Sequence, residues 1–381
     1  MKKILIATAL LAAMYMPVNA QEMVKGTIEN VASQGSYTPS FKNDGSKKAP
    51  LNVILMIGDG TGLSHIASGH YANGGELTLT NLKTCGWVTT QSADSYTTDS
   101  AASGTAYATG QKTHNYAIGM DVNDNPLANI PEKAHAKGIV SGIISTDDLN
   151  GATPAAFFAH TNNRNNTKEI WAGMQYSPLS FFAAGSKEAM ESQSEDTRKA
   201  LKDNFTIVDN LSDPAAASSE RLGYLPPKSE TASMSTGRGD FLPATTSYAI
   251  DYLMARKTSR KKGFFLMVEA ARIDKSAHGN DFPTVVKEVL DFDKAIEAAI
   301  RFAEKDGNTL VIITADHETG ALTLGYNGDP SKGIVSGVFC SGNHTPSPVP
   351  LFAYGPHSQD FMGVQGNEEV SQKIQKLLGI E

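Results

Sequence analysis

Four apolar runs rich in branched side chains fix the kind of fold open to this chain: LNVILMIG (51–58), GIVSGIIST (138–146), GFFLMVE (263–269) and TLVIITAD (309–316). Each is continuous, not alternating, as expected of strands buried on both faces of a parallel sheet. Between the last two runs, Val285, Val289, Phe292, Ile296, Ile300 and Ala303 recur at a helical period, and Gly307 follows as a stop. Strand, helix, strand is a crossover unit, and a layered α/β fold follows. The stretch from about 171 to 240 is richer in Ser, Gly and Pro and less periodic. It is expected to form helices and loops decorating the same domain.

Acids cluster where these runs end. The first closes in Gly58-Asp59-Gly60, the third in Glu269 with Asp274 soon after, and the fourth in Asp316-His317. In open α/β sheets ligands bind at the carboxyl ends of strands. One such acid is readily a helix cap. Carboxylates at the same end of three strands would repel one another unless cations sat among them. The run EAARIDKSAH supplies Glu269, Asp274, Lys275 and His278, with Asp274 and His278 on one face if the stretch is helical. Further on, CSGNHTPSPVPLFAYGP puts His344 in a Gly/Pro-rich loop before another apolar strand. Mixed imidazole and carboxylate ligands favour zinc over calcium, whereas magnesium prefers oxygens. His65, His70, His114, His135, His160 and His357 lack a comparable acidic setting in the sequence and read as surface or core residues.

The chain begins MKKILIATALLAAMYMPVNA: two lysines, a short apolar stretch and a small-residue ending. This is the pattern of a secretory signal peptide over residues 1–20, cut near Ala20-Gln21. An exported protein, periplasmic or secreted, is expected, with no membrane span in the mature chain. Residues 21–49 are polar and read as a leader or linker, followed by one catalytic domain over 50–381. The net charge of −7 becomes −9 once Lys2 and Lys3 are removed, so no nucleic-acid-binding surface is expected. The basic SRKK at 259–262 reads as a solvated loop before a strand. Cys85 and Cys340 permit one disulfide or two free thiols, and neither defines the fold.

Several catalytic patterns are excluded. His317-Glu318 begins like the zinc-protease helix motif, but Ala321 stands where the second histidine is needed. IGDGTG has the wrong glycine spacing for a dinucleotide loop, and Asp59 would repel a pyrophosphate. No G-x-S-x-G elbow occurs, and neither cysteine is followed by the x-Pro-x-Arg of a sulfatase.

The ordered set GDG (58–60), TDSAASGTAYATG (98–110), ATPAAFFAH (152–160) with Arg164, EAARIDKSAH (269–278) and TADHETG (314–320) resembles the alkaline phosphatase family. The likeness runs from about residue 51 to the YGP at 354–356. It implies a three-layer α/β/α sandwich with a largely parallel central sheet. It also implies hydrolysis of small-molecule phosphate monoesters through a phosphoserine on Ser100, with a broad substrate range and an alkaline optimum. By the same resemblance Asp274, His278 and His344 would hold one zinc, and Asp59, Asp316 and His317 a second beside Ser100. Asp59, Thr153 and Glu269 would hold magnesium. Arg164 would grip the phosphoryl oxygens, oriented by Asp99, with Lys275 flanking the metals. Gly151 stands where many relatives carry Asp or His, which removes a group near the magnesium; Asn150, Asp147, Asp148 or extra water could substitute. The short span from His317 to His344 implies a compact, exposed site, and dimers are common in the family, so a homodimer is expected. Two other readings stay open. One is a phosphodiesterase or phosphonate hydrolase on the same two-zinc scaffold, against which Ser100, Thr153 and Glu269 weigh. The other is a non-catalytic exported binder of zinc or phosphate.

Overall fold

A computed structural model describes residues 23–29, 31, 33–256, 262–325 and 327–381. The expected signal peptide and most of the SRKK stretch lie outside them. Ten strands form the central sheet: β1 (Asn52–Gly58), β2 (Thr84–Thr89), β3 (Val140–Ser145), β4 (Phe181–Ala183), β5 (Thr206–Val208), β6 (Leu222–Tyr224), β7 (Phe264–Ala270), β8 (Thr309–Thr314), β9 (Val349–Tyr354) and β10 (Gly363–Gly366). Their order is β10-β2-β9-β8-β1-β7-β3-β4-β6-β5. All neighbours run parallel except β9, which is antiparallel to both β2 and β8.

The continuous apolar runs are the four central strands, β1, β3, β7 and β8, and every residue in them is buried. Successive side chains feed opposite layers. Ile54, Met56, Leu266, Val268, Val311 and Ile313 join one core with the helices Phe241–Ala255 and Phe282–Asp306. Val53, Leu55, Ile57, Phe265, Met267 and Ile312 join the other with the helices Ser100–Thr109 and Asn367–Leu378. Each such side chain contributes roughly 1.5–3 kcal/mol by leaving water, which is why both faces must be covered. The architecture is the three-layer α/β/α sandwich.

The helix Phe282–Asp306 begins where Asp281 accepts the Thr284 amide and ends at Gly307, whose φ of 67° is left-handed. Val285, Val289, Phe292, Ile296, Ile300 and Ala303 are all buried along it, as their spacing requires. The region 171–240 departs from expectation. It carries helices and loops but also β4, β5 and β6, three-residue strands that extend the sheet to one edge. Within 21–49, Val24–Ile28 pairs antiparallel with Val335–Phe339 in a separate three-stranded sheet. Tyr37 and Phe41 pack against the core, and Asp44 Oδ1 accepts the Gly355 amide at 3.0 Å. Of the two arrangements open to Cys85 and Cys340, the structure has two free thiols, and both are exposed. Cys85 sits on the outward face of β2, in a strand whose burial alternates. No helix among the described residues is long and apolar enough to cross a membrane.

Candidate metal centre and nucleophile

Parallel strands deliver their carboxyl ends to one edge, and the neighbours β8, β1, β7 and β3 bring chemistry with them. Asp316 and His317 follow β8, Asp59 follows β1, Glu269 lies in β7, and Ser145 ends β3. A short helix, Arg272–His278, starts just after β7 and presents Asp274 and His278 on one face. His344 arrives on a two-residue ribbon: Glu318–Thr319 pairs antiparallel with His344–Thr345, with Thr319 opposite His344.

Asp274, His278 and His344 offer ligand atoms all within 4.8 Å of one another, and so do Asp59, Asp274 and His317. Asp274 therefore reaches both groups. Asp316 also faces the second group, with Oδ2 3.2 Å from His317 Nε2. Its Oδ1 is already engaged by the amides of Gly60 and His317, at 3.1 and 3.0 Å.

The imidazoles are set for a cation. His278 Nδ1 lies 2.7 Å from the Gly342 carbonyl oxygen, and His344 Nδ1 lies 2.9 Å from that of Thr98. A carbonyl only accepts, so each Nδ1 carries the hydrogen, and in the neutral ring each Nε2 is a bare lone pair. Those two Nε2 atoms are 3.0 Å apart, and Asp274 oxygens lie 3.3 and 3.6 Å from them. Facing lone pairs beside a carboxylate repel unless a positive ion lies between them. Buried Asp59 Oδ1, Asp316 Oδ2 and Thr153 Oγ1 make no hydrogen bond at all. Such orphaned acceptors are costly unless an ion satisfies them. The residues present fit divalent metal.

Titration behaviour has the same origin. Burial, then Asp316, Asp274 and Glu269, pushes the Asp59 carboxyl well above its usual range. Burial, then Asp147, pushes Glu269 up to about 8. Burial, then the neighbouring His344, holds the His317 imidazolium well below 6.5, leaving the ring neutral as a ligand must be.

Ser100 opens the helix Ser100–Thr109, whose cap is Asp99: the Asp99 carboxylate accepts the Ala102 amide at 3.0 Å. The first amides of a helix have no internal partner, and those of Ser100 and Ala101 precede the capped one. Ser100 is 5% exposed, and its Oγ lies 3.2 Å from His317 Nε2. Arg164 Nη1 donates to Asp99 Oδ2 at 3.0 Å. Tyr116, left-handed at φ 73°, holds both: its amide donates to Asp99 Oδ2 at 3.2 Å, and its carbonyl accepts the Arg164 amide at 2.7 Å. Lys275 pairs with Asp147 at the rim.

Sequence reasoning passed over Thr319, Ser145 and Tyr116. Thr319 Oγ1 donates to Asp274 Oδ1 and lies 3.2 Å from His317 Nδ1, so one hydroxyl orients a residue of each group. Ser145 Oγ donates to Glu269 Oε2. Small hydroxyl residues carry no signal apart from their place at strand ends. Of the histidines set aside, His65 is fully buried. His114, His160 and His357 do meet carboxylates, Asp94 at 3.8 Å, Glu132 at 3.0 Å and Asp360 at 2.7 Å, but one each.

The chain is similar to known proteins over most of its length. The family model described as alkaline phosphatase matches residues 50–193 and 240–339. Alkaline phosphatase 4 of Bacillus subtilis (strain 168) is 31% identical over 424 residues, covering 86% of this chain and 88% of that protein. The solved alkaline phosphatase of the Antarctic bacterium TAB5 has a TM-score of 0.82 at 39% identity, covering 88% of this chain and 100% of that one. A TAB5 variant solved with magnesium bound in its M3 site has a TM-score of 0.82 at 38% identity, over 88% of this chain and 99% of that one.

Proposed function

Given that this chain belongs to the alkaline phosphatase family, and is thereby a phosphatase of small phosphate esters, we propose that it hydrolyses monoesters through Ser100 as nucleophile. One observation carries the reading: a buried serine hydroxyl lies 3.2 Å from His317 Nε2, inside the cluster of orphaned ligand atoms and one residue from the Asp99–Arg164 pair.

Asp274, His278 and His344 would hold one zinc, Asp59, Asp316 and His317 the second, and Asp59, Thr153 and Glu269 magnesium. The magnesium of the TAB5 variant supports the last of these. When bound, such cations supply the positive charge that favours the serine alkoxide and offsets charge on the departing oxygen. The remaining work falls to the chain itself. Arg164, braced by Asp99 and the Tyr116 backbone, offers its planar fork to two phosphoryl oxygens. The free amides at the start of the Ser100 helix, with the positive end of its dipole, favour the same anion. Ser100 Oγ bonds to phosphorus as the ester P–O bond breaks, and the alcohol leaves with a proton. Water then breaks the phosphoserine, releasing phosphate and restoring the hydroxyl.

Every contact in this scheme is to the phosphoryl group, which supports a broad substrate range. The need for unprotonated imidazoles and carboxylates supports an alkaline optimum. The lysine-led apolar N-terminus supports export with cleavage near Ala20-Gln21, and the family resemblance supports a homodimer.

The deciding comparison is turnover of p-nitrophenyl phosphate against bis-p-nitrophenyl phosphate with zinc and magnesium supplied. The monoester is expected to turn over faster; faster diester cleavage would move the chain to the diesterase reading. Thr319→Val is expected to lower zinc affinity about 10- to 100-fold, since it removes the hydroxyl orienting Asp274 and His317. Competition with a zinc chelator measures this, and an unchanged affinity would leave Thr319 without that role.

A further inference from the structure

Gly151 begins the turn into the short helix Ala152–Ala155, which carries Thr153. Its φ of −56° and ψ of 146° are open to any residue, so the backbone does not demand glycine. Space does. A Cβ here would lie 2.9 Å from Asp147 Oδ2 and 3.0 Å from the Asp148 carbonyl oxygen. The Asp147 carboxylate thus occupies the volume that a side chain at 151 would take. Its two oxygens divide their duties: Oδ1 meets the Lys275 ammonium, and Oδ2 lies over Gly151.

The backbone under Asp147 is fixed toward the same place. Its amide donates to Ser145 Oγ at 2.8 Å, and that hydroxyl in turn donates to Glu269 Oε2. Its carbonyl accepts the Gly185 amide at 2.6 Å. A single hydroxyl therefore joins Asp147 to buried Glu269. Two residues past Gly151, Thr153 Oγ1 is 99% buried at the residue level and has no partner, and Asp59 Oδ1 is likewise buried without one.

Resting on the functional reading above, we propose that Asp147 supplies the carboxylate completing the magnesium site of Asp59, Thr153 and Glu269. Gly151 is kept bare to admit that carboxylate, and Lys275 holds it in place. Magnesium takes oxygen ligands, and this set of three carboxylates and one hydroxyl offers oxygen alone.

The test is calorimetric titration of the zinc-loaded full chain with magnesium chloride, with metal content measured alongside. Asp147→Asn is expected to weaken magnesium at least about tenfold while zinc content stays at the parental level. Asp147→Ala combined with Gly151→Asp is expected to regain most of the affinity, because the second change returns a carboxylate to the vacated volume. Parental magnesium affinity in Asp147→Asn, or a parent that takes up no magnesium beside its zinc, would overturn the proposal. A parent that binds magnesium through Asp147 yet hydrolyses no monoester would support it and overturn the functional reading instead.

Discussion

Replacing Ser100 with alanine is expected to lower kcat/KM for p-nitrophenyl phosphate by roughly 10³-fold or more, the scale on which removing a nucleophile acts. Zinc content and thermal midpoint should be unchanged. Ser100 is the first residue of its helix, where alanine is a good former, and the cap belongs to Asp99. The hydroxyl has its one named side-chain contact at His317 Nε2, whose ring is also placed by Thr319. The variant therefore separates chemistry from architecture. Full hydrolysis by Ser100→Ala would take the serine out of the mechanism and leave the metals acting on water alone.

Stripping the metals should abolish turnover and also change how stability depends on pH. In the metal-free protein Glu269 titrates near 8, against 4.5 for an ordinary glutamate, because it is buried and then because Asp147 faces it. Asp59 is raised in the same direction, by burial first. A folded state that keeps protons the unfolded chain gives up is most stable at low pH, and that advantage is lost as pH rises through the folded pKa. His317 acts in the opposite sense. Its folded pKa is depressed, so its destabilising effect appears as pH falls below the unfolded value of 6.5. Between about pH 6.5 and 8 the carboxyls decide. The thermal midpoint of chelated protein should fall across that window more steeply than that of zinc- and magnesium-loaded protein, since bound cations keep the carboxylates ionised and leave His160, raised by its hydrogen bond to Glu132, titrating alike in both. A flat or rising midpoint in the chelated protein would show that these acids do not carry the cost of an emptied site.

The central fold was legible because its strands are buried on both sides, which turns them into uninterrupted apolar runs. The helix Phe282–Asp306 was legible because one face alone is buried. β4, β5 and β6 were not. Three residues each, set among Ser, Gly and Pro, give no period to read, and only pairing outward from β3 (β4 on β3, β6 on β4, β5 on β6) defines them as strands. The residues proposed as ligands stood out because acids and histidines gather at the ends of several strands at once, which helix caps alone do not require. Arg164 in TNNRNNTKE would pass for a solvated charge on composition alone; Asp99 and the Tyr116 backbone give it its place. Thr319, Ser145 and Asp147 are ordinary surface-type residues by composition. Contacts made across the fold, not local pattern, give them their orientation.

The ribbon that joins Glu318–Thr319 to His344–Thr345 also closes a neck. Gly320 donates its amide to the Asn343 carbonyl, and its own carbonyl receives the amides of Cys340 and Ser341. Beyond that neck, Leu322–Leu324 and Val24–Ile28 both pair with Val335–Phe339, and the excursion runs out to a tip where the Asp329 and Ile334 backbones pair. Lengthening the tip costs only about 0.6 kcal/mol per doubling of a flexible loop, and the neck keeps the added chain from pulling on His317 or His344. The excursion is thus a graft point: new segments spliced at its far end could reshape what surrounds Ser100 while His317 and His344 stay where they are.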